Sequence, residues 1–119
     1  MNPKTRLKNK ANSLWKQIIL SRCNHCEVCG STEVLQAHHF YFRSSCPHLA
    51  HNLDNAVVLC RKCHAKLHFR DAKLVEAEIK KVKGKKWFNK LEKQSKEKWI
   101  SFQTMDYYRA IIKNLESKL

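Results

Sequence analysis

Long hydrophobic runs are missing from this chain. No apolar stretch approaches the ~18 residues that a membrane-spanning helix needs, and the basic N-terminal segment holds no signal-peptide core. These absences predict a cytoplasmic protein without a membrane partner. No repeat or low-complexity linker divides the sequence, so we predict a single domain over residues 1–119.

Acidic side chains are also scarce. The chain has 10 Asp and Glu against 24 Lys and Arg, a net charge of +14. Such a positive field attracts polyanions, so nucleic acid is the first predicted partner, ahead of an acidic membrane surface or a role in solubility alone. Residues 1–25 contain no acid and place apolar residues at helical spacing. This predicted basic helix either packs with its basic face in solvent or contacts phosphates.

The six cysteines include two Cys-x-x-Cys pairs. In a reducing cytoplasm this spacing favours metal thiolates over disulfides. Four thiolates suit tetrahedral zinc, because each pair spans two corners of the tetrahedron. Bound Zn²⁺ would add folding free energy that a short chain lacks. The predicted ligands are Cys26, Cys29, Cys60 and Cys63. Cys23 stands at the same spacing before Cys26 and stays open as an alternative ligand.

The remaining patterns predict a small α+β domain, with a strand–loop–strand–helix core between flanking basic helices. Its regions are 1–25, 26–69 and 70–119. The predicted elements are strands over 34–37 and 55–59, a helix over 60–69, a helix between Asp71 and Gly84, a Lys-dense helical segment over 80–98, and a last helix from Thr104. The apolar stripe of the last helix, from Tyr108 to Leu119, is one surface where a homodimer could form.

Histidines surround the same core. A His38–His39 doublet directly follows the first predicted strand, Asn55 precedes the second cysteine pair, and His64 lies on the helix that follows. His68 stands four residues after His64, so both side chains share one helix face. Together with the cysteine pairs, this arrangement resembles the HNH nuclease motif. In that family a ββα-metal fold holds one catalytic divalent ion between a hairpin and a helix.

The resemblance implies an enzyme that hydrolyses DNA phosphodiester bonds. It makes His39 the general base that deprotonates the attacking water, work that suits a neutral imidazole. It makes His38, His64 and His68 the ligands of a catalytic ion, for which Mg²⁺, Mn²⁺, Ni²⁺ and Zn²⁺ are all candidates. Asn55 would orient His39 or brace its loop.

Contacts to DNA are predicted from charge and proximity. Arg43, Arg61 and Lys66 are the candidate phosphate contacts, and Lys-rich helices would hold the backbone through salt-sensitive, sequence-independent contacts. His48 and His51 fall outside the nuclease pattern and are interpreted as loop residues or phosphate contacts.

A narrower resemblance concerns the DNA substrate. The run from His38 to Cys60, with the basic helices and the final YYRAIIKNLESKL after it, is similar to phage recombination nucleases of the NinG, or Rap, type. Those nucleases act on branched DNA such as Holliday junctions. The resemblance implies the cytoplasm of a bacterium or of a phage-infected host. The alternatives are a non-catalytic zinc-binding nucleic-acid module and a protein-interaction adaptor. The complete set of His38, His39, Asn55 and His64 discriminates against the binding module, which needs no general base. The adaptor would dock a partner on the aromatic C-terminal helix, which core packing explains more simply.

Overall fold

The structure, a computed structural model, describes residues 1–97 and 103–119. In these ranges it contains five α-helices and a two-stranded antiparallel sheet, which confirms the predicted α+β class. The elements are α1 (Pro3–Arg22), β1 (Leu35–His39), β2 (Ala56–Cys60), α2 (Arg61–Phe69), α3 (Ala72–Lys83), α4 (Lys85–Ser95) and α5 (Met105–Glu116), with a 3-10 turn over Pro47–Leu49. None of the helices in the described ranges is long and apolar enough to cross a membrane.

The first strand begins and ends later than the sequence predicts. Val34 has a φ of 47°, a left-handed turn conformation that a strand residue cannot adopt, so β1 starts at Leu35. Its last two residues are His38 and His39, which therefore lie inside the strand. The Lys-dense segment predicted over 80–98 forms the end of α3 and all of α4, and its last residue lies outside the described residues.

The helix starts follow side-chain caps. Asp71 Oδ1 accepts a hydrogen bond from the Leu74 N–H at 3.0 Å, and Thr104 Oγ1 accepts one from the Tyr107 N–H at 3.1 Å. Both predicted starts are confirmed. Gly84, with a φ of 97°, ends α3 and allows the chain to turn directly into α4.

The sheet divides two apolar clusters. Every residue of β2 is buried, and successive strand side chains point to opposite faces. Ala56 and Val58 belong to the cluster with α1 and α5, while Val57 and Leu59 belong to the cluster with α2 and α3. The antiparallel register pairs His38 with Val57 and His39 with Ala56, so the two histidines face different helices.

The apolar stripe of α5 is used inside the chain. Tyr108, Ile112 and Leu115 are buried, and Ile112 and Leu115 pack with residues of α1. Most of this stripe is therefore not a free face for a second copy, although Leu119 is 67% exposed. The homodimer stays a prediction, and the apolar stripe of α5 does not support it.

Candidate functional site

The four predicted zinc ligands converge. The Sγ atoms of Cys26, Cys29, Cys60 and Cys63 all lie within 4.8 Å of one another, and those of Cys29 and Cys60 are 3.5 Å apart. Tetrahedral zinc with Zn–S bonds of about 2.3 Å separates its sulfurs by about 3.8 Å. The cluster therefore fits a structural zinc ion. Cys23 is not part of it, and its thiol donates to the His25 carbonyl at 3.2 Å.

Burial and neighbouring groups shift the pKa values of the cysteine thiols in both directions. Burial raises the pKa of Cys26, but hydrogen bonds from backbone N–H groups, including those of Cys29 and Cys60, outweigh it and bring the pKa to about 7. The pKa of Cys63 is raised by burial and by its neighbouring thiols. Four thiolates this close repel one another, and a divalent cation offsets that repulsion.

The turn over residues 26–29, which carries the first two cysteines, is the zinc knuckle. Glu27 lies within it and attaches it to the sheet. Its backbone N–H donates to the Val58 carbonyl at 2.9 Å, and its Oε2 accepts from the Val58 N–H at 2.7 Å. Lys83 of α3 forms a half-buried ion pair with its other carboxylate oxygen at 2.9 Å. Sequence analysis missed this residue, because the spacing of the cysteines says nothing about what lies between them.

Three predicted metal ligands form a second cluster, the histidine centre: His38, His64 and His68 offer ring nitrogens within 4.8 Å of one another. The Nε2 atoms of His64 and His68 are 3.1 Å apart, close to the ~3.3 Å expected for two nitrogens on a tetrahedral ion with bonds of about 2.0 Å. Burial and then the neighbouring His64 and His68 lower the pKa of His38 to about 4. His38 is thus neutral near pH 7, as metal binding requires.

His39 lies on the opposite face of β1, against α1. Its ring stacks on Trp15, with centroids 3.9 Å apart and planes inclined by 4°. Its Nε2 lies 2.8 Å from the Ala50 carbonyl oxygen. Because a carbonyl only accepts, Nε2 carries the proton and donates it, and the lone pair of the neutral ring is left on Nδ1. That tautomer can take a proton from water.

The surroundings of His39 keep it neutral. Its pKa is lowered mainly by burial, against the raising effect of the Ala50 hydrogen bond, and the charges of Arg43 and Lys16 lower it further. A neutral imidazole is the form that a general base needs.

Asn55 braces the loop between the two strands. It is 0% exposed, and its Nδ2 donates to the carbonyls of Tyr41 at 3.0 Å and Leu49 at 3.1 Å. Its Oδ1 accepts from the Tyr41 N–H at 2.8 Å. Ala50 follows Leu49, so the same brace holds the carbonyl that accepts from His39. Of the two predicted roles for Asn55, these contacts favour loop bracing.

We expect Asn55→Ala to lower the free energy of unfolding by about 2–4 kcal/mol, because three hydrogen bonds are lost and buried backbone groups are left unpaired. Urea denaturation of zinc-loaded protein measures this change. Asn89→Ala, an exposed replacement on α4, is the control and should change the free energy by less than ~0.5 kcal/mol. Equal small effects of both replacements would contradict the bracing role.

One groove of about 680 Å³ connects the two faces of β1. His38, His39 and His68 line it, and so does Arg43, where a phosphate contact was predicted. Arg61 instead lies beside the zinc cluster, and Lys66 is not among the described residues that line the groove. DNA contacts by Arg61 and Lys66 stay predictions.

The groove also contains residues that sequence analysis did not place there. Lys8, Asn12 and Lys16 reach it from α1, and His51 reaches it from the loop. The spacing of α1 predicts a basic helix, but only the packing of Trp15 under His39 decides which face of that helix meets the groove.

The pH dependence of stability follows from His51. Its pKa is lowered from 6.5 to about 4, first by burial and then by the charges of His39, Arg43 and Lys8. As the pH falls, the unfolded chain therefore binds the proton before the folded chain does. The stabilisation from neutral His51 is complete above pH 6.5 and is lost as the pH falls to about 4.

We accordingly expect the free energy of unfolding to fall between pH 6.5 and 4, and to fall less steeply in His51→Gln, whose amide N–H replaces the imidazole donor. Urea denaturation across this window at one zinc concentration compares the two slopes. Effects of pH on zinc binding are common to both proteins and cancel in the difference. Parallel slopes would show that His51 carries no proton linkage.

Comparison with known proteins agrees with this geometry. Residues 26–70 match the family model described as HNH endonuclease, and this match supports the HNH family for the segment that holds both clusters. The chain is also similar to a mutS homolog of Acanthamoeba polyphaga mimivirus, named as a DNA mismatch repair protein, with 36% identity over 72 residues. That alignment covers 50% of this chain and 6% of the mimivirus protein. No solved structure matches the chain.

Proposed function

We propose that this protein is a metal-dependent endonuclease that hydrolyses DNA phosphodiester bonds. The proposal rests on one observation: the adjacent histidines His38 and His39 point to opposite faces of β1. His38 faces α2 and completes a cluster of three imidazoles, while His39 faces α1 and keeps a lone pair on Nδ1. Two of the three candidate metal ligands, His38 and His68, and the candidate general base His39 thus line a single groove. The HNH match over residues 26–70 supports the same chemistry.

Each group in the groove has a defined task in this proposal. His39 Nδ1 accepts the proton of the attacking water, and the Ala50 carbonyl and the Trp15 ring hold the imidazole in place. A divalent ion at the histidine centre would act as a Lewis acid toward the scissile phosphate. Arg43, which lines the groove, offers a positive charge to the same phosphate.

The finer part of the proposal concerns the substrate and its setting. Branched DNA, such as a Holliday junction in phage recombination, is supported by the resemblance to NinG-type nucleases, and double-stranded DNA by the net charge of +14. With either substrate, the protein would act in the cytoplasm.

Cleavage of two DNAs by the zinc-loaded wild type tests the proposal. Supercoiled plasmid and a synthetic four-way junction are incubated with added Mg²⁺, Mn²⁺, Ni²⁺ or Zn²⁺. We expect cutting with at least one ion, and preferential cutting of the junction if the branched substrate is right. Cutting of plasmid and junction at equal rates would reject only the substrate. Binding without cutting under every ion would reject the enzyme and favour a zinc-binding nucleic-acid module.

A further inference from the structure

The groove continues from His38 and His39, which lie on opposite faces of β1, onto one side of α1. Lys8, Asn12 and Lys16 line this extension, and their spacing of four residues places them along one face of the helix. Trp15, which stacks on His39, precedes Lys16 on the same helix. The extension therefore begins beside the candidate base and runs away from it toward the start of α1.

Asn12 is held in a fixed orientation at the middle of this face. The His51 side chain is 8% exposed, and its Nε2 lies 2.7 Å from Asn12 Oδ1. An amide oxygen only accepts, so His51 donates to it. The N–H donors of the Asn12 amide are then the part of this side chain that it offers to a ligand.

The Lys and Arg side chains along the extension make it positively charged. Lys8 and Lys16 lie on α1 and Arg43 on the loop, and no carboxylate is among the described residues that line the groove. Lys8, Lys16 and Arg43 line the same groove as the rings of His39 and His51. An anion is the ligand that this environment favours.

The groove is larger than one phosphate requires. Its volume of about 680 Å³ lies within the ~300–1,000 Å³ of pockets that enclose drug-sized ligands. A second phosphate and its sugar can therefore lie on α1 while the scissile phosphate lies at the histidine centre.

We propose that Lys8, Asn12 and Lys16 form a subsite for a second phosphate of the DNA strand that is cut. The subsite fixes the position of the strand relative to His39, with two ammonium groups and one oriented amide as donors. It gives α1 the phosphate-contacting role, instead of a purely packing one. The inference rests on the proposed nuclease function for the identity of the ligand, while the binding of a backbone phosphate can be tested without cleavage.

The binding test uses two charge-matched double variants in a His39→Ala background, so that DNA stays intact and the structural zinc is kept. Lys8→Gln/Lys16→Gln removes the subsite cations, and Arg6→Gln/Lys10→Gln removes two exposed cations of α1 outside the groove. Fluorescence anisotropy of a labelled duplex is measured from low to moderate salt. We expect the subsite variant to bind about tenfold more weakly and to lose about two units of the log–log salt slope.

The control variant should bind within about threefold of its parent. Equal losses in both double variants would show that only net charge matters and would overturn the subsite, as would no loss in either. Asn12→Ala changes no charge. We expect it to weaken binding about tenfold with the salt slope unchanged, and parental affinity in this variant would remove Asn12 from the subsite.

Cleavage then separates the subsite from the catalytic groups. Bis(p-nitrophenyl) phosphate has one phosphate and cannot occupy a second phosphate site. In the otherwise wild-type protein, Lys8→Gln/Lys16→Gln should lower the ratio of DNA cleavage to cleavage of this small diester by at least tenfold, and an unchanged ratio would overturn the subsite. If the wild type cuts neither substrate, the nuclease function fails, and the binding comparison alone decides the phosphate site.

Discussion

Replacing Cys60 with serine is expected to unfold this protein. Cys60 is buried at the end of β2, and its Sγ lies 3.5 Å from that of Cys29, so it joins the knuckle to the sheet. Structural zinc sites contribute roughly 10–16 kcal/mol in zinc-finger peptides, as much as the ~5–15 kcal/mol that stabilises a whole domain. Losing one thiolate from such a site should therefore remove the cooperative fold.

Circular dichroism, thermal denaturation and zinc analysis measure this outcome. Cys60→Ser should lose the thermal transition and most of its zinc. Cys23→Ser is the matched control, because Cys23 is the alternative ligand outside the cluster; it should keep the zinc content and the thermal midpoint of the wild type. A folded, zinc-free Cys60→Ser protein would contradict a structural role for the metal, and zinc loss in Cys23→Ser would make Cys23 a ligand.

Replacing His64 with alanine is expected to lower DNA cleavage by ~10²-fold or more while the fold is kept. His64 supplies one of three imidazoles at the histidine centre, and its Nε2 lies 3.1 Å from that of His68. Removing a group that positions transition-state charge typically costs ~10²–10³-fold in rate. High concentrations of the added ion should restore part of the activity, because the other two ligands remain.

Initial rates of plasmid nicking over a range of ion concentrations measure this effect. His25→Ala removes an exposed histidine outside the cluster and should cut like the wild type. Wild-type rates for His64→Ala at low ion concentration would show that the histidine centre does not hold the catalytic ion.

The sequence predicts the close pairs within the two clusters because the geometry of each pair is local. A Cys-x-x-Cys spacing closes a turn on one ion, and two histidines four residues apart share a helix face. Adjacent residues of a strand point to opposite faces, so the His38–His39 doublet already implies two separate roles. These relations hold whatever the rest of the chain does.

Interactions between distant segments could not be predicted in this way. The stacking of Trp15 on His39 depends on how α1 packs against the sheet, and so does the entry of Lys16 into the groove. Each of these outcomes reflects tertiary packing, for which the spacing of residues along the chain carries no signal.

Plasmid cleavage by His39→Ala tests the central claim most directly. Zinc-loaded wild type and variant are compared with the ion that best supports cutting, and DNA binding is measured on the same preparations. Because His39 is the proposed base, the variant should nick plasmid ~10²–10⁴-fold more slowly while its DNA affinity stays within about twofold. Equal nicking rates in the two proteins would contradict the assignment of His39 as the general base and, with it, the mechanism proposed for this groove.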